Sequence, residues 1–107
     1  MIQQITAKQL ADRLAAGERF HLLDVRPPAE HALAALPGSQ LVPLNELVVR
    51  LAEVQVPEGC TLVVYCHHGV RSMHAGMFLA QHGFAPLSLE GGIEAWSCEV
   101  DPSMPRY

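Results

Sequence analysis

The segment Tyr65-Cys66-His67-His68-Gly69-Val70-Arg71-Ser72 gathers a thiol, two imidazoles, a flexible glycine and a fixed cation in one short stretch. It stands between an apolar, β-branched run, Thr61 to Tyr65, and a stretch with helical spacing of apolar residues, Arg71 to His82. In open α/β sheets ligands collect at the carboxyl ends of the strands, and Cys66 leaves one. The free N–H groups and dipole of the following helix would surround the sulfur with positive potential and favour the thiolate, the nucleophilic form. Gly69 lets successive amides turn inward as a nest for an anion, and Arg71 is the loop's only permanent positive charge. An isolated cysteine ending a buried strand is ordinarily a small core residue; the neighbours of Cys66 argue for a nucleophile.

Several nearby residues have weaker claims. His67 and His68 could orient a substrate or add positive charge near neutral pH, or they could be partly exposed loop residues. Adjacent side chains in a tight loop point apart and no second pair at a ligand-like spacing follows, so no metal site is expected. Asp24 and Arg26 are expected to form a structural ion pair beside the loop, and His74 and His82 to lie on a helix surface. Trp96 and Phe78 read as packing residues, and Cys60 and Cys98 as structural thiols.

These residues need a sheet to hold them. Thr6 with Gln9 makes a capping box, Ile5 and Leu10 its hydrophobic staple, and Gly17 a stop, which predicts a helix from Ala7 to Ala16. Phe20 to Val25 reads as a buried strand ending at Arg26-Pro27-Pro28, where the prolines bias the chain away from helix and sheet. Leu36-Pro37-Gly38-Ser39 is a turn, Leu41-Val42 a very short strand, and Leu44 to Ala52 a helix by the spacing of Leu44, Leu47, Val48 and Leu51. Thr61 to Tyr65, apolar on both faces, suits a central parallel strand. A helix over Arg71 to His82 should end in a Schellman motif at Gly83-Phe84, before a strand at Leu87 to Leu89, a turn at Gly91-Gly92 and a helical turn at Ile93 to Trp96. Alternating strands and helices favour an α/β, mainly parallel sheet covered on both faces.

Length and composition narrow the function classes. At 107 residues and 50% hydrophobic, the chain is expected to form one domain, residues 1–107. The apolar runs fall far short of the roughly 20 residues that span a bilayer, and Met1 to Thr6 has no secretory pattern. A cytoplasmic location is expected, with Cys60, Cys66 and Cys98 as free thiols. A net charge of -4, from 7 basic and 11 acidic residues, argues against nucleic-acid or anionic-membrane partners.

Three ordered motifs resemble the rhodanese family in its single-domain form. Asp24-Val25-Arg26, Glu30 and Leu36-Pro37-Gly38-Ser39 with Pro43 resemble its first signature. Cys66 to Ser72, running into Leu79 and Gly83, resembles its catalytic loop, and Glu90-Gly91-Gly92-Ile93-Glu94-Ala95-Trp96 resembles the third motif. Ala34-Ala35 departs from the pattern, since many members have a histidine before the Leu-Pro-Gly turn. The resemblance implies a doubly wound α/β rhodanese-like domain with a central, mainly parallel five-stranded sheet and helices on both faces. It implies Cys66 as catalytic nucleophile, His67, His68, Gly69, Val70 and Arg71 as the substrate-binding loop, and no cofactor.

The implied reaction moves a sulfane sulfur from thiosulfate or a persulfide to a thiol, cyanide or a protein acceptor, through a Cys66 persulfide. Phosphatase relatives have one more residue between cysteine and arginine, so a phosphatase or arsenate reductase is the disfavoured alternative. A non-catalytic binding module, which can lack the cysteine, is the other. The ending Glu99 to Tyr107 resembles tails of rhodanese modules joined to enzymes that activate small sulfur-carrier proteins, which points to a protein partner.

Overall fold

The computed structural model describes residues 2–107. Its frame is a five-stranded sheet in the order β1-β5-β4-β2-β3, formed by Gln4–Ile5 (β1), Arg19–Asp24 (β2), Gln40–Leu41 (β3), Cys60–Tyr65 (β4) and Leu87–Leu89 (β5). All four pairings are parallel. Asp24 is level with both Leu41 and Tyr65, so the segments that leave β2, β3 and β4 emerge at one edge. β1, two residues long, escaped the sequence reading because so short a strand has no period to detect.

β4 explains how the sheet is covered. Side chains alternate across a strand, and here Leu62, Val64 and Cys66 join one core cluster while Val63 and Tyr65 join the other. Helix α3 (Val70–Gln81) places Ala75 and Leu79 in the first cluster. Helices α1 (Ala7–Ala15) and α4 (Gly92–Glu99) place Leu10 and Ile93 in the second. Each fully buried leucine or isoleucine among them contributes about 1.5–3 kcal/mol. Phe78 and Trp96 pack against the two clusters, as expected of them.

The local signals in the chain act where they were expected. The Gln9 amide donates to Thr6 Oγ1 at 3.1 Å and the Thr6 amide to Gln9 Oε1 at 2.9 Å, closing the capping box. The Phe84 amide donates to the Leu79 carbonyl at 3.1 Å across Gly83, whose φ of +92° few other residues adopt.

Three expectations fail for physical reasons. Residues 44–52 form no α-helix but two 3-10 turns, Leu44–Glu46 and Leu51–Glu53. Of that stretch only Leu47 is fully buried, Leu44 and Leu51 pack half-buried against the same cluster, Val48 and Val49 are 71% and 88% exposed, and no side chain caps either turn, so a continuous helix would have too little to pack against. Pro27-Pro28 opens the short helix α2 (Pro28–Leu33) instead of barring one, because proline in the first turn lacks only an N–H that would be unpaired anyway. α4 runs on to Glu99, beyond the single turn expected at Ile93 to Trp96.

Candidate active site

Cys66 continues the buried face of β4 and is 1% exposed. Gly69 occupies the N-cap of α3 with φ +103° and has no side chain with which to cap it. The cysteine sulfur takes that place. Its Sγ accepts from the Gly69 amide at 3.1 Å and from the Ser72 amide, the third residue of the helix, at 3.4 Å. Two orphan donors and the positive end of the helix dipole therefore converge on the sulfur. Ser72 Oγ lies 3.6 Å from Sγ and 2.7 Å from Ser88 Oγ, and both serines are fully buried. Ser72 also donates to the Gly69 carbonyl at 3.1 Å, tying the loop to its own helix.

The loop is held from behind by α4. The Ile93 amide donates to the Cys66 carbonyl at 2.9 Å and the Glu94 amide to the His67 carbonyl at 3.1 Å. Because a peptide is planar and trans, drawing those carbonyls towards α4 turns the amides of His67 and His68 the other way. Among the described residues these two amides find no protein acceptor. The approach is so close that a Cβ on Gly92, where φ is +62°, would stand 2.3 Å from the His67 carbonyl oxygen. That contact explains Gly92; a Cβ on its neighbour Gly91, where φ is +75°, would instead stand 2.7 Å from the Ala95 methyl carbon.

Arg71 faces Glu30, donating to Oε2 at 2.8 Å and to Oε1 at 3.0 Å. The Tyr107 hydroxyl donates to Glu30 Oε1 at 2.7 Å and accepts from Arg26 Nη1 at 2.7 Å. The Arg71 guanidinium, and secondarily Tyr107, hold the Glu30 carboxyl down to about 2, so it is ionised at neutral pH. Burial pushes the Tyr107 phenol up to about 12, so it stays protonated and can donate. Its ring stacks on His67 at 3.9 Å, and His67 stacks in turn on His68 at 3.9 Å. Burial, then the neighbouring His68, lowers the His67 pKa from its ordinary value, which favours the neutral ring near pH 7.

The model of the rhodanese-like domain matches residues 6–99 of this chain. The chain belongs to the rhodanese-like family. It is 37% identical over 98 residues to a sulfurtransferase of Allochromatium vinosum, covering 91% of this chain and 90% of that one. It is 36% identical over 104 residues to the probable adenylyltransferase/sulfurtransferase MoeZ of Mycobacterium tuberculosis, and there it covers only 26% of the relative's length. A crystal structure of a rhodanese-related protein from Thermoplasma volcanium superposes with a TM-score of 0.81 at 32% identity, covering 92% of this chain and 93% of that one. Sulfur transfer is the activity that the Allochromatium and Mycobacterium relatives share by name, and the α/β fold with its five-stranded parallel sheet is that of the family.

In this rhodanese-like domain the six expected loop residues fall into distinct places. Cys66 and Gly69 are buried, His67 and Arg71 half-buried, His68 exposed, and Val70 is 67% exposed. From that set only the Gly69 backbone hydrogen-bonds to the sulfur. Asp24 and Arg26 form the expected structural pair, fully buried. His74, His82 and Cys98 are exposed, and Cys60 lies at the opposite end of β4 from the site. No group of three or more His, Cys, Asp or Glu among the described residues is placed to hold a metal, and no helix is long and apolar enough to cross a membrane.

Ser72, Ser88, Gly92 and Tyr107 were not assigned to the site from sequence. Ser72 had a readable signal, since it stands at the third helical position after a glycine N-cap. Ser88 and Tyr107 had none, because their partners lie 16 and 81 residues away in the chain. Ser72→Ala frees the Gly69 carbonyl and so loosens the Gly69 amide that donates to the sulfur; it is expected to slow alkylation of Cys66 by iodoacetamide at neutral pH by about tenfold, the order of one lost hydrogen bond to a charged group. An unchanged alkylation rate would remove the Ser72 hydroxyl from the site.

Proposed function

We propose that this chain transfers a sulfane sulfur through a persulfide on Cys66. The observation that carries the reading is the pair of amides, Gly69 and Ser72, that converge on a buried sulfur at the start of α3. Such donors favour the thiolate and then the charged persulfide, by analogy with an oxyanion hole in which each well-placed donor contributes about 2 to 4 kcal/mol. The amides of His67 and His68, turned away from α4, are the natural donors to an outer sulfur.

The Cys66 thiolate attacks the outer sulfur of thiosulfate or of a persulfide, and the leaving group departs as sulfite or a thiolate. An acceptor thiol, cyanide or a carrier protein then attacks the terminal sulfur of Cys66-S-SH, restoring the thiolate. Two half-reactions on one cysteine imply ping-pong kinetics. A groove of about 430 Å³ lined by Val25, Pro27, Pro43, Leu44, Asn45 and Arg71 adjoins the loop and suits the organic part of a donor or acceptor. Likeness to one portion of MoeZ, whose name joins sulfur transfer to adenylyl transfer, supports a protein as partner. Cytoplasmic residence suits the three free cysteines.

Intact mass spectrometry after incubation with thiosulfate or an organic persulfide tests the reading. One added sulfur is expected on the native chain, removed by cyanide and missing in Cys66→Ala. No mass change with any donor would sink it.

A further inference from the structure

At the edge of the sheet that holds Cys66, the arginines do not stand free. Arg71 is bound by Glu30 through both guanidinium nitrogens, Arg26 by Asp24, and Arg106 by Glu94. Glu94 belongs to the same lattice as the loop, since its amide holds the His67 carbonyl. Arg71 was the one fixed cation that the loop could offer an anion, and its charge is offset by a carboxylate that Tyr107 further orients. His67 adds no compensating charge while its ring is neutral.

We infer that Glu30 is a specificity-determining residue: by neutralising Arg71 it suits the site to a donor of low charge, an organic persulfide, over the dianion thiosulfate. The inference rests on the sulfurtransferase reading above. The two half-reactions differ in the charge they bring to the loop. With thiosulfate, the Cys66 thiolate bonds to the outer sulfur, the S–S bond breaks, and sulfite leaves with the electron pair: Cys-S⁻ + S₂O₃²⁻ gives Cys-S-S⁻ + SO₃²⁻. With a persulfide, Cys-S⁻ + R-S-SH gives Cys-S-SH + R-S⁻. The first gathers three negative charges beside the loop and the second, with a protonated persulfide on an uncharged organic group, only one. No unpaired guanidinium of the loop is left to answer the dianion, because that of Arg71 already faces a carboxylate at 2.8 Å.

A purely positioning Glu30 would behave differently. If its task were to aim Arg71 at the substrate, its loss would weaken thiosulfate use. If its task is to cancel Arg71, its loss strengthens thiosulfate use. The two readings have opposite signs.

Glu30→Gln keeps the shape and an acceptor for Tyr107 while removing the charge. The expected result is a rise of about tenfold in the ratio of kcat/KM for thiosulfate to kcat/KM for the persulfide of N-acetylcysteine methyl ester, whose organic group carries no charge, the scale of one partly solvated charge acting on a dianion. The gain should shrink as ionic strength rises and disappear in Glu30→Gln/Arg71→Gln. Sulfate provides a second reading without turnover: it should protect Cys66 from iodoacetamide at about tenfold lower concentration in Glu30→Gln than in the native chain. That arm tests the charge argument even in a chain that moves no sulfur, so the two proposals fail separately. A fall in the thiosulfate ratio, or a gain that survives loss of Arg71, would overturn the inference, as would unchanged sulfate protection.

Discussion

Gly92→Ala is expected to destabilise the chain by about 2–5 kcal/mol, combining the cost of a left-handed backbone for a residue with a Cβ and that of overpacking. The new methyl group would stand 2.3 Å from the His67 carbonyl oxygen and 2.5 Å from that of Cys66, both backbone atoms that cannot swing aside. Either α4 retreats or the loop does. In both cases the Ile93 and Glu94 amides lose their carbonyls, and the sulfur loses the fixed donors that make it reactive. A displacement of 1 Å at a reacting atom can cost about 100-fold in rate, which is the loss expected in persulfide formation. Gly38→Ala provides the control, because Gly38 also has a positive φ (+75°) but nothing within 4 Å of its would-be Cβ. Guanidinium unfolding of the two variants, alongside their rates of persulfide formation, decides the matter. Equal stabilities and equal rates would show that the close approach of α4 to the loop is not needed.

Asp24→Ala should be comparably severe through electrostatics. Asp24 and Arg26 are each fully buried, and the carboxylate accepts from Arg26 Nε at 2.8 Å, from Arg26 Nη2 at 2.6 Å and from the Tyr65 hydroxyl at 3.1 Å. His31 Nδ1 lies 2.8 Å away on its more exposed side. Removing the acid leaves a guanidinium in the core with the Ala34 carbonyl and the Tyr107 hydroxyl as its remaining acceptors. Breaking a buried pair in this way costs about 3–5 kcal/mol, because the stranded charge keeps its desolvation penalty and loses its partner. For a chain of this size that is a fall of about 15 °C or more in melting temperature. A melting curve within a few degrees of the native one would mean that water reaches Arg26 and that the pair does not organise the wall of the site. Because Arg26 also anchors Tyr107, the stack of Tyr107 on His67 should loosen in the same variant.

The rest of the fold varied in how openly the chain declared it. α1 was legible because its start and stop are local: Thr6 and Gln9 satisfy each other's amides, and Gly17 supplies a positive φ. β4 and α3 were legible because a β-branched run and a helical apolar stripe meet at Cys66. The 44–52 segment misled because its apolar spacing is helical while the fold fully buries only Leu47 and leaves Val48 exposed. Periodicity reports what a segment could bury, and the rest of the molecule decides what it does bury.

The site divides along the same line. Cys66, the glycine that frees the helix N-terminus and the helix itself are neighbours in the chain, so the sequence alone determined that a thiol would meet unpaired amides. Short-range geometry needs no tertiary information. The tertiary structure decided the charge of the pocket and the rigidity of the loop. Arg71 reads from the sequence as a free cation, and the fold brings Glu30 across 41 residues to bind it. Gly92 reads as a turn, and the fold makes it the surface on which the Cys66 loop rests. Charges and contacts between distant segments depend on where the sheet sets each strand end, and no local pattern of residues encodes that distance.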